Sequence, residues 1–538
     1  MLSFYTFLKQ KANLFIQAFY FNIKMPTLNW IGKEAVVNHD KEVPFRLLKK
    51  VKSISVGDSQ NLIIKGDNLE GLKALMPYYI GKVKCIYIDP PYNTGNENWV
   101  YNDKVNSPKI KKWLGKVVGG EAQDLCRHDK WLCMMYPRLK LLRDLLSDDG
   151  VIFVSIDDNE NHNLRFLLNE IFGEMNYIQE IIWHSKYTVS NDAKFFSRQH
   201  EYILCYAKNI QKVSAVFSVP RTEEANNRYS NPDNDPRGSW KATPLHAKSG
   251  KEINNFEYIF KNGIKWKPPK GRYHRFSKES LERLDKENRL WFGKDKKATP
   301  SVKTFLSEVS EKMKSGSILP FNLVGHTHKA NEQLAVLMDK GAFDNPKSVD
   351  LIKILSSMVT SPNDIVLDSF AGSGTTGHAV LDLNKEDGGN RKFILIEMED
   401  DIAKKITAER IKRAIEKYDY KDGFEYCELD KPLFDENGQI EETCDFNQFA
   451  TYIYFTETQT NIDKKQIDKN FIGESGETEF YLIYKEKYKN VLDKKFLSKI
   501  KKTKYKKIIY ADFCMVDDDT LEKFNIQFKQ IPYEVKVY

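Results

Sequence analysis

Four adjacent residues, Asp89, Pro90, Pro91 and Tyr92, have the types and spacing that chemistry on a nucleobase would need. They follow a short apolar run at 85–88, which predicts a buried strand that the two prolines end. A carboxylate at the carboxyl edge of a sheet can accept a hydrogen from an exocyclic amine. Proline carbonyls are further acceptors, and the tyrosine ring can stack on a base. Such a set suits an extruded base whose amino group is modified, although a plain Pro-Pro turn after a strand is the alternative.

A second candidate site lies far downstream, where residues 365–368 predict another strand. Asp368 ends this strand. The loop after it carries Phe370, Gly372 and Gly374 and precedes a predicted helix at 378–383. Glycines permit a sharp backbone turn and close approach to a ligand. Glu397 ends the next predicted strand, where its carboxylate can accept hydrogens from ribose hydroxyls. With Gly377, the glycines also match the G-x-G-x-x-G pattern of an NAD-dependent oxidoreductase, so that class stays open here.

Together the two segments resemble the amino-methyltransferases of DNA. The first resembles their D-P-P-Y catalytic motif, and the second their F-x-G-x-G loop for S-adenosylmethionine. The catalytic motif precedes the cofactor loop, which is the order of the β group, and D-P-P-Y rather than S-P-P-Y favours adenine N6 over cytosine N4. Further segments narrow the resemblance to the Mod subunits of type III restriction-modification systems, at residues 64–70, 150–160, 231–238, 345–347 and 383–393. The resemblance runs from about residue 25 to about residue 417.

The predicted fold class is α/β. Alternating strand and helix patterns predict a parallel sheet covered on both faces. The resemblance implies a doubly wound, mostly parallel, Rossmann-like methyltransferase sheet with permuted motif order, an inserted target-recognition region and a small C-terminal domain. The predicted boundaries are 25–182 for the catalytic half, 183–330 for target recognition, 331–417 for the cofactor-binding half and 418–538 for a C-terminal α/β domain. Residues 1–24 are interpreted as an N-terminal extension or a mis-assigned start.

The resemblance implies transfer of a methyl group from S-adenosylmethionine to adenine N6 in double-stranded DNA. Asp89 and the carbonyl of Pro90 would hold the N6 hydrogens, and Tyr92 would stack on the flipped adenine. Attack on the methyl would be direct, with no covalent enzyme intermediate, and positioning would supply most of the acceleration.

The cofactor is expected to contact five residues of the second segment, namely Asp368, Phe370, Gly372, Gly374 and Glu397. Asp67 is a candidate for the adenine amine of the cofactor, and Lys347 resembles the family's lysine near the methionyl end. The alternatives are a turn-forming aspartate and a surface lysine, respectively. Asp157 and Asp158 follow a predicted strand, and we interpret them as caps of the next helix rather than as catalytic groups.

Basic and aromatic residues alternate in the stretch 265–276, between the two motifs. Its candidate DNA-binding residues are Lys265, Trp266, Lys267, Arg272, Tyr273 and Arg275. Basic side chains can hold phosphates and aromatic rings can stack on bases. The alternative is a solvated β-rich insert whose aromatic residues form its core.

Composition permits this interpretation without proving it. The 538 residues carry a formal net charge of +8, which is compatible with a polyanionic partner. The seven cysteines form no C-x-x-C pair, so we expect reduced thiols, a cytoplasmic protein and no metal site. The apolar stretch at the N-terminus is interrupted by lysines, and no membrane association is expected.

The resemblance also implies partners beside DNA, namely a second copy in a homodimer and a separate Res helicase-nuclease subunit. The sequence contains no G-x-x-x-x-G-K-[ST] phosphate loop, so ATP-driven cleavage would need another chain. Two further alternatives stay open: a solitary adenine or N4-cytosine methyltransferase, and a non-catalytic DNA-binding protein.

Overall fold

The computed structural model describes residues 27–95, 108–119, 126–251, 255–295, 298–433, 444–458, 460, 462, 467–486, 489–500 and 503–531. The interpretation of residues 1–24 lies outside these ranges. Two compact units are present. The insert unit is Phe217–Ser315, and the main unit comprises the described residues before and after it.

A ten-stranded sheet forms the centre of the main unit. In chain order its strands are β1 (Arg46–Lys50), β2 (Leu62–Lys65), β3 (Val83–Ile88), β4 (Leu146–Ile156), β5 (Tyr177–His184), β6 (His200–Ala207), β7 (Ile318–Leu319), β8 (Ile365–Asp368), β9 (Lys392–Glu397) and β10 (Glu425–Pro432). Across the sheet the order is β1-β10-β2-β9-β8-β3-β4-β6-β5-β7. All of these strands except β1 and β6 run in one direction. The mostly parallel sheet is therefore confirmed.

Helices cover both faces of this sheet. The longer ones are α1 (Asn68–Tyr79), α2 (Pro108–Val117), α3 (Arg127–Leu145), α4 (Asn161–Phe172), α5 (Thr327–Ala335), α6 (Val349–Val359), α7 (Thr375–Asp387), α8 (Glu409–Tyr418) and α9 (Phe446–Thr458). A Cβ added to Gly71 of α1 would come 3.0 Å from Ile396 Cγ2, and one added to Gly377 of α7 would come 3.0 Å from Leu395 Cδ1. Consecutive strand residues point to opposite faces, so α1 and α7 lie on opposite sides, as a doubly wound fold requires.

The sheet reverses its winding between β8 and β3, which are parallel neighbours. From β8 the chain continues through α7 to β9 on one side, whereas from β3 it continues through α3 to β4 on the other. A crevice opens outside the carboxyl ends of strands at such a switch point, and open α/β sheets bind their ligands there. Both sequence motifs stand at this edge because each directly follows one of these two strands.

The compact insert unit is narrower than the predicted recognition region 183–330. Strands β6 and β7 lie inside that predicted range, yet they pair into the central sheet and belong to the main unit. The insert unit contains a three-stranded sheet (Leu290–Trp291, Ser301–Phe305 and Trp240–Pro244) and the helix Lys278–Lys286. The boundaries of the insert unit depend on which strands pair into the central sheet, and local sequence patterns do not reveal that non-local pairing.

A buried ion network organises the loop at 231–238 of the insert unit. Lys303, which is 6% exposed, donates from Nζ to Asp233 and to Asp235 Oδ2, the latter at 2.8 Å. Arg237 Nη2 donates to the same Asp235 carboxylate at 2.7 Å, and the Asp233 carboxylate also accepts from Trp240 Nε1 at 2.9 Å. The charged residues of this motif therefore pair with one another and with Lys303, so removing one partner would leave a buried charge uncompensated.

The described C-terminal residues do not form a compact unit separate from the central sheet. Strand β10 lies within the predicted domain 418–538, yet it pairs with β1 and β2 of the central sheet. Beyond it, four strands (Phe471–Ser475, Thr478–Leu482, Lys506–Ala511 and Ile526–Gln530) form a small sheet, and α9 contacts both this sheet and α1. Among the residues that the structure describes, no helix is long and apolar enough to cross a membrane.

Candidate active site

The two motifs meet at the switch point. Val366 and Leu367 of β8 are in register with Cys85 and Ile86 of β3. Asp89 follows the end of one strand, and the glycine loop follows the end of the other. The register therefore places both motifs at the carboxyl ends of neighbouring parallel strands.

The Asp89 carboxylate has one paired and one unpaired oxygen. Oδ2 accepts from Lys347 Nζ at 2.6 Å, whereas Oδ1 is buried and has no partner among the described residues. Burial raises the pKa of Asp89 above its ordinary value, although the Lys347 ammonium counteracts the rise. Because buried polar atoms are nearly always satisfied, Oδ1 is an acceptor prepared for a donor that a ligand would bring.

Lys347 is a buried partner of the D-P-P-Y motif rather than a surface lysine. Its side chain is 8% exposed, and its Nζ lies 5.0 Å from the centre of the Tyr92 ring and 3.6 Å from Glu201 Oε2. Burial opposes its charge, but Asp89 and Glu201 outweigh that effect and raise the pKa of Lys347. The surface alternative is therefore wrong, and the ammonium stays charged between two carboxylates.

Glu201, in β6, is a site residue that sequence reasoning missed. Its Oε2 accepts from the Tyr92 hydroxyl at 2.8 Å. Burial raises the pKa of Tyr92, so this hydroxyl stays protonated and donates. An acid directly before the run of apolar and aromatic residues at 202–207 was the available signal, since a charge beside buried strand residues needs a partner.

The backbone on both sides of Tyr92 is held by side chains of α3 and of the loop before α4. The Pro91 carbonyl accepts from Trp131 Nε1 at 2.6 Å, so it is not left free as expected. Asn93 has a positive φ of 56°, and its side chain donates to the buried Glu160. Arg127 Nη1 donates to the Asn93 carbonyl at 2.9 Å. These bonds hold the backbone on both sides of Tyr92 and so restrict the position of its ring.

The glycine loop is held by two carboxylates, Asp368 at the end of β8 and Glu397 at the end of β9. Asp368 accepts from the backbone N–H of Phe370 at 3.0 Å and from Thr376 Oγ1 at 2.6 Å. Burial raises the pKa of Asp368 to about 7. Glu397 Oε2 accepts from the N–H of Gly372 at 2.9 Å. The structure thus brings together the five cofactor candidates of this segment, and Phe370 packs against the main core.

Gly374 is required by the local backbone. Its φ of 76° is in the left-handed region, where it precedes the first turn of α7. A Cβ here would lie 3.2 Å from both Cγ2 and the carbonyl oxygen of Thr407. The hydroxyl of Thr407 in turn donates to the Gly372 carbonyl at 2.6 Å, so the loop rests directly on this residue.

Three aspartates near the site have structural partners. Asp67 caps α1, where its Oδ1 accepts from the N–H groups of Leu69 and Glu70, in agreement with the turn-forming alternative. Asp157 and Asp158 do not cap α4, contrary to our prediction: Glu160 occupies the N-cap position. Both carboxylates instead pair with Arg198. Its Nη1 lies 2.8 Å from Asp157 Oδ2, and its Nε lies 2.9 Å from Asp158 Oδ2.

A cavity of about 260 Å³ opens beside Tyr92. Its wall includes Trp183, Glu201 and Lys347, together with Asn345 and Pro346 of the N-P-K segment. The cavity therefore combines an aromatic face with charged and amide groups next to the Asp89 acceptor, as a pocket for a flat polar heterocycle would.

The candidate DNA-binding residues of the insert unit differ in accessibility. Lys265, Lys267 and Arg275 are exposed, whereas Arg272 and Tyr273 are half-buried. Trp266 is 9% exposed and belongs to the core of the insert unit, with its ring centre 5.1 Å from that of His274. The expectation that Trp266 stacks on a base is therefore wrong, because its ring already packs against its own unit.

Comparisons with known proteins agree with this arrangement. The profile of the N6/N4 DNA methylase family matches residues 83–252 and 238–409. The type III restriction-modification enzyme StyLTI Mod subunit of Salmonella typhimurium is 36% identical over 66% of this chain and 54% of its own length. The EcoP15I Mod subunit of Escherichia coli is 29% identical over 80% of this chain and 75% of its own length. The type II methyltransferase M.KpnI of Klebsiella pneumoniae is 29% identical over 66% of this chain and 85% of its own length.

This chain spans about half the length of the Salmonella relative. The family profile, however, covers more than half of the chain and contains both strand-end motifs of the switch point. The chain therefore belongs to the N6/N4 DNA methylase family.

Proposed function

We propose that this protein transfers a methyl group from S-adenosylmethionine to adenine N6 of double-stranded DNA. The observation that carries the proposal is the buried, unpartnered Oδ1 of Asp89. The ion-pair partner of Asp89, Lys347, lines the Tyr92 cavity, and the strand that Asp89 follows neighbours the strand before the glycine loop. An exocyclic amine is a donor that would satisfy this oxygen.

The glycine loop fits the cofactor. Gly374 lets the loop lie against Thr407, where a side chain would collide, and the Thr407 hydroxyl holds the Gly372 carbonyl. Glu397 is held in place by the Gly372 N–H. Asp368 and Phe370 shape the loop from its first turn. When bound, S-adenosylmethionine supplies an electrophilic methyl group on a sulfonium sulfur.

The chain's own residues would orient the acceptor and take up its proton. Asp89 Oδ1 accepts one N6 hydrogen and the carbonyl of Pro90 accepts the other, which aims the nitrogen lone pair at the methyl. The methyl C–S bond would break as the C–N bond forms, which leaves a neutral thioether, and the N6 proton would pass to the Asp89 carboxylate. Lys347 favours the ionised form of Asp89 until then. Tyr92 stacks on the extruded adenine, with its hydroxyl anchored on Glu201.

The type III role rests on the relatives that are named Mod subunits. In that role the protein would form a homodimer and would bind a separate Res helicase-nuclease subunit. A solitary methyltransferase is the second candidate, because a relative of similar identity is named a type II methyltransferase. D-P-P-Y favours adenine, and N4 of cytosine is the competing acceptor.

The insert unit would contact the DNA target. Its exposed cations Lys265, Lys267 and Arg275 can neutralise phosphates, and the half-buried Arg272 and Tyr273 lie in the same stretch. Phosphate contacts position a protein on DNA, and groove contacts by other side chains of the unit would select the sequence.

Single-molecule sequencing tests the proposed function directly. The full chain is expressed in a host that lacks DNA methyltransferases, and the genomic DNA is read for modified bases. We expect N6-methyladenine in one recurring sequence motif. Modified N4-cytosine would overturn the choice of base, and unmodified DNA, in cells that contain the folded protein, would overturn the proposed activity.

The pH profile of a Glu201→Gln variant tests the charge network. The Glu201 carboxylate raises the pKa of Asp89, in addition to the larger effect of burial. Removing that negative charge lowers the pKa of Asp89, so the ionised acceptor persists to lower pH. We expect the acid limb of the kcat/KM profile to move to lower pH.

Glu170→Gln is a matched control for this experiment. Glu170 also accepts from a tyrosine hydroxyl (Tyr136, 3.1 Å) and from a lysine (Lys33 Nζ, 2.8 Å), yet it lies outside the cavity lining. Its profile should match that of the wild type. An acid limb that stays in place in Glu201→Gln, or moves to higher pH, would contradict the assigned charge coupling.

A further inference from the structure

The hairpin formed by β5 and β6 extends beyond the central sheet at the cavity. Its ladder continues past the strand ends, because the N–H groups of Ser185 and Lys186 donate to the Gln199 carbonyl at 3.0 and 3.2 Å. Ser185, Lys186 and Arg198 line the cavity. The loop 187–198 therefore projects from the rim of the pocket that the extruded base would enter.

Two adjacent phenylalanines stand on this loop, facing solvent. Phe195 is 83% exposed and Phe196 is 99% exposed. The nearby Tyr187, by contrast, has its ring centre 4.9 Å from that of His326 and 6.2 Å from that of Phe321, so it anchors the start of the loop. Single exposed apolar residues are ordinary, but an adjacent pair of almost fully exposed rings beside a binding pocket indicates a surface that a partner covers.

The charges around the pair favour a polyanionic partner. Lys194 Nζ lies 5.4 Å from the centre of the Phe195 ring, and Lys186 stands at the cavity rim. Arg198 also points to this side, although its guanidinium is shared with Asp157 and Asp158. Lysines beside exposed aromatic rings can hold phosphates while the rings contact bases.

We propose that Phe195 and Phe196 form a wedge that enters the DNA base stack and fills the space left by the extruded adenine. This inference rests on the proposed function. Only one residue separates Phe196 from Arg198 at the cavity rim, so at most about 7 Å of chain separates the wedge from the pocket mouth. Phenylalanine is among the side chains that insert between base steps, and a hairpin fits the width of the major groove.

The wedge would act on the energetics of base extrusion and not on the methyl-transfer step. Extruding a paired base costs a few kcal/mol, and the cost is smaller when the base is mismatched or unpaired. Rings that occupy the vacated space restore stacking and keep the base from returning. Removing these rings should therefore lower kcat/KM strongly when the target adenine is paired and weakly when it is unpaired.

The test compares two duplexes that carry the motif found by sequencing. In one the target adenine is paired with thymine, and in the other it lies opposite an abasic site. For the double variant Phe195→Ala/Phe196→Ala we expect kcat/KM to fall about tenfold or more on the paired duplex, since extrusion costs a few kcal/mol, and to change much less on the abasic duplex. Cofactor affinity and sedimentation should match those of the wild type.

Phe166→Ala is the matched control, because Phe166 is also an exposed phenylalanine (45%) but lies on α4, outside the cavity lining. It should leave kcat/KM unchanged on both duplexes. Equal losses on both duplexes for the double variant would overturn the wedge, and a changed sedimentation coefficient would reassign the pair to an interface between protein chains. Wild-type protein that methylates neither duplex would overturn the proposed function itself, and the wedge with it.

Discussion

Replacing Asp89 with alanine should reduce methyl transfer about a hundred- to a thousandfold, the loss that follows removal of one preorganised transition-state contact. The variant should still bind cofactor, because the glycine loop makes its bonds to Asp368, Glu397 and Thr407 and none to Asp89. DNA binding should also persist. The measurements are single-turnover methyl transfer with labelled cofactor, calorimetric cofactor affinity and DNA binding by anisotropy.

The alanine also removes the closest carboxylate partner of Lys347, so a loss of stability has to be separated from a loss of chemistry. Asp40 is a suitable control: it is buried, and its Oδ1 lies 2.6 Å from Lys140 Nζ, the same separation as in the Asp89–Lys347 pair. Asp40→Ala should lower the unfolding temperature without lowering turnover of the folded protein. Undiminished turnover in Asp89→Ala would remove Asp89 from the mechanism, and an equal loss in Asp40→Ala would attribute the effect to folding.

Local sequence patterns predicted the strand ends that carry the chemistry. One apolar run is followed by two prolines, and another is followed by glycines. These residues affect the backbone only within a few positions, and both strands end just before them. The adjacency of β3 and β8 followed from chemistry, because a methyl group and its acceptor must meet. A parallel sheet with its motifs at the carboxyl edge is the arrangement that allows this.

Side-chain partners across the sheet could not be predicted in the same way. Glu201 reaches Tyr92 only because β6 runs antiparallel beside β4, and that pairing is non-local. The burial of Lys347 depends on the same wall of the cavity. Trp266 was misassigned for a related reason: a ring among lysines resembles a stacking surface in sequence, whereas the core of the insert unit determines its burial.

Gly374→Trp is expected to weaken cofactor binding about a hundredfold or more, because a displacement of about 1 Å in a binding loop can have that effect. The added side chain would meet Thr407, whose hydroxyl holds the Gly372 carbonyl. It would also have to adopt a left-handed backbone at a φ of 76°. Cofactor affinity is measured by calorimetry and stability by thermal unfolding.

A substitution at Gly388 distinguishes the effect of the collision with Thr407 from the effect of the left-handed backbone. Gly388 follows the other end of α7 with a similar φ of 71°, but an added Cβ there would have no atom within 4 Å. Gly388→Trp therefore carries the same backbone strain, about 1–2 kcal/mol, without the collision. We expect it to lower the unfolding temperature as Gly374→Trp does and to bind cofactor like the wild type. Wild-type affinity in Gly374→Trp would exclude the loop from the cofactor site. Weakened affinity in both variants would instead attribute the loss to a strained α7, since only the first glycine lies against Thr407.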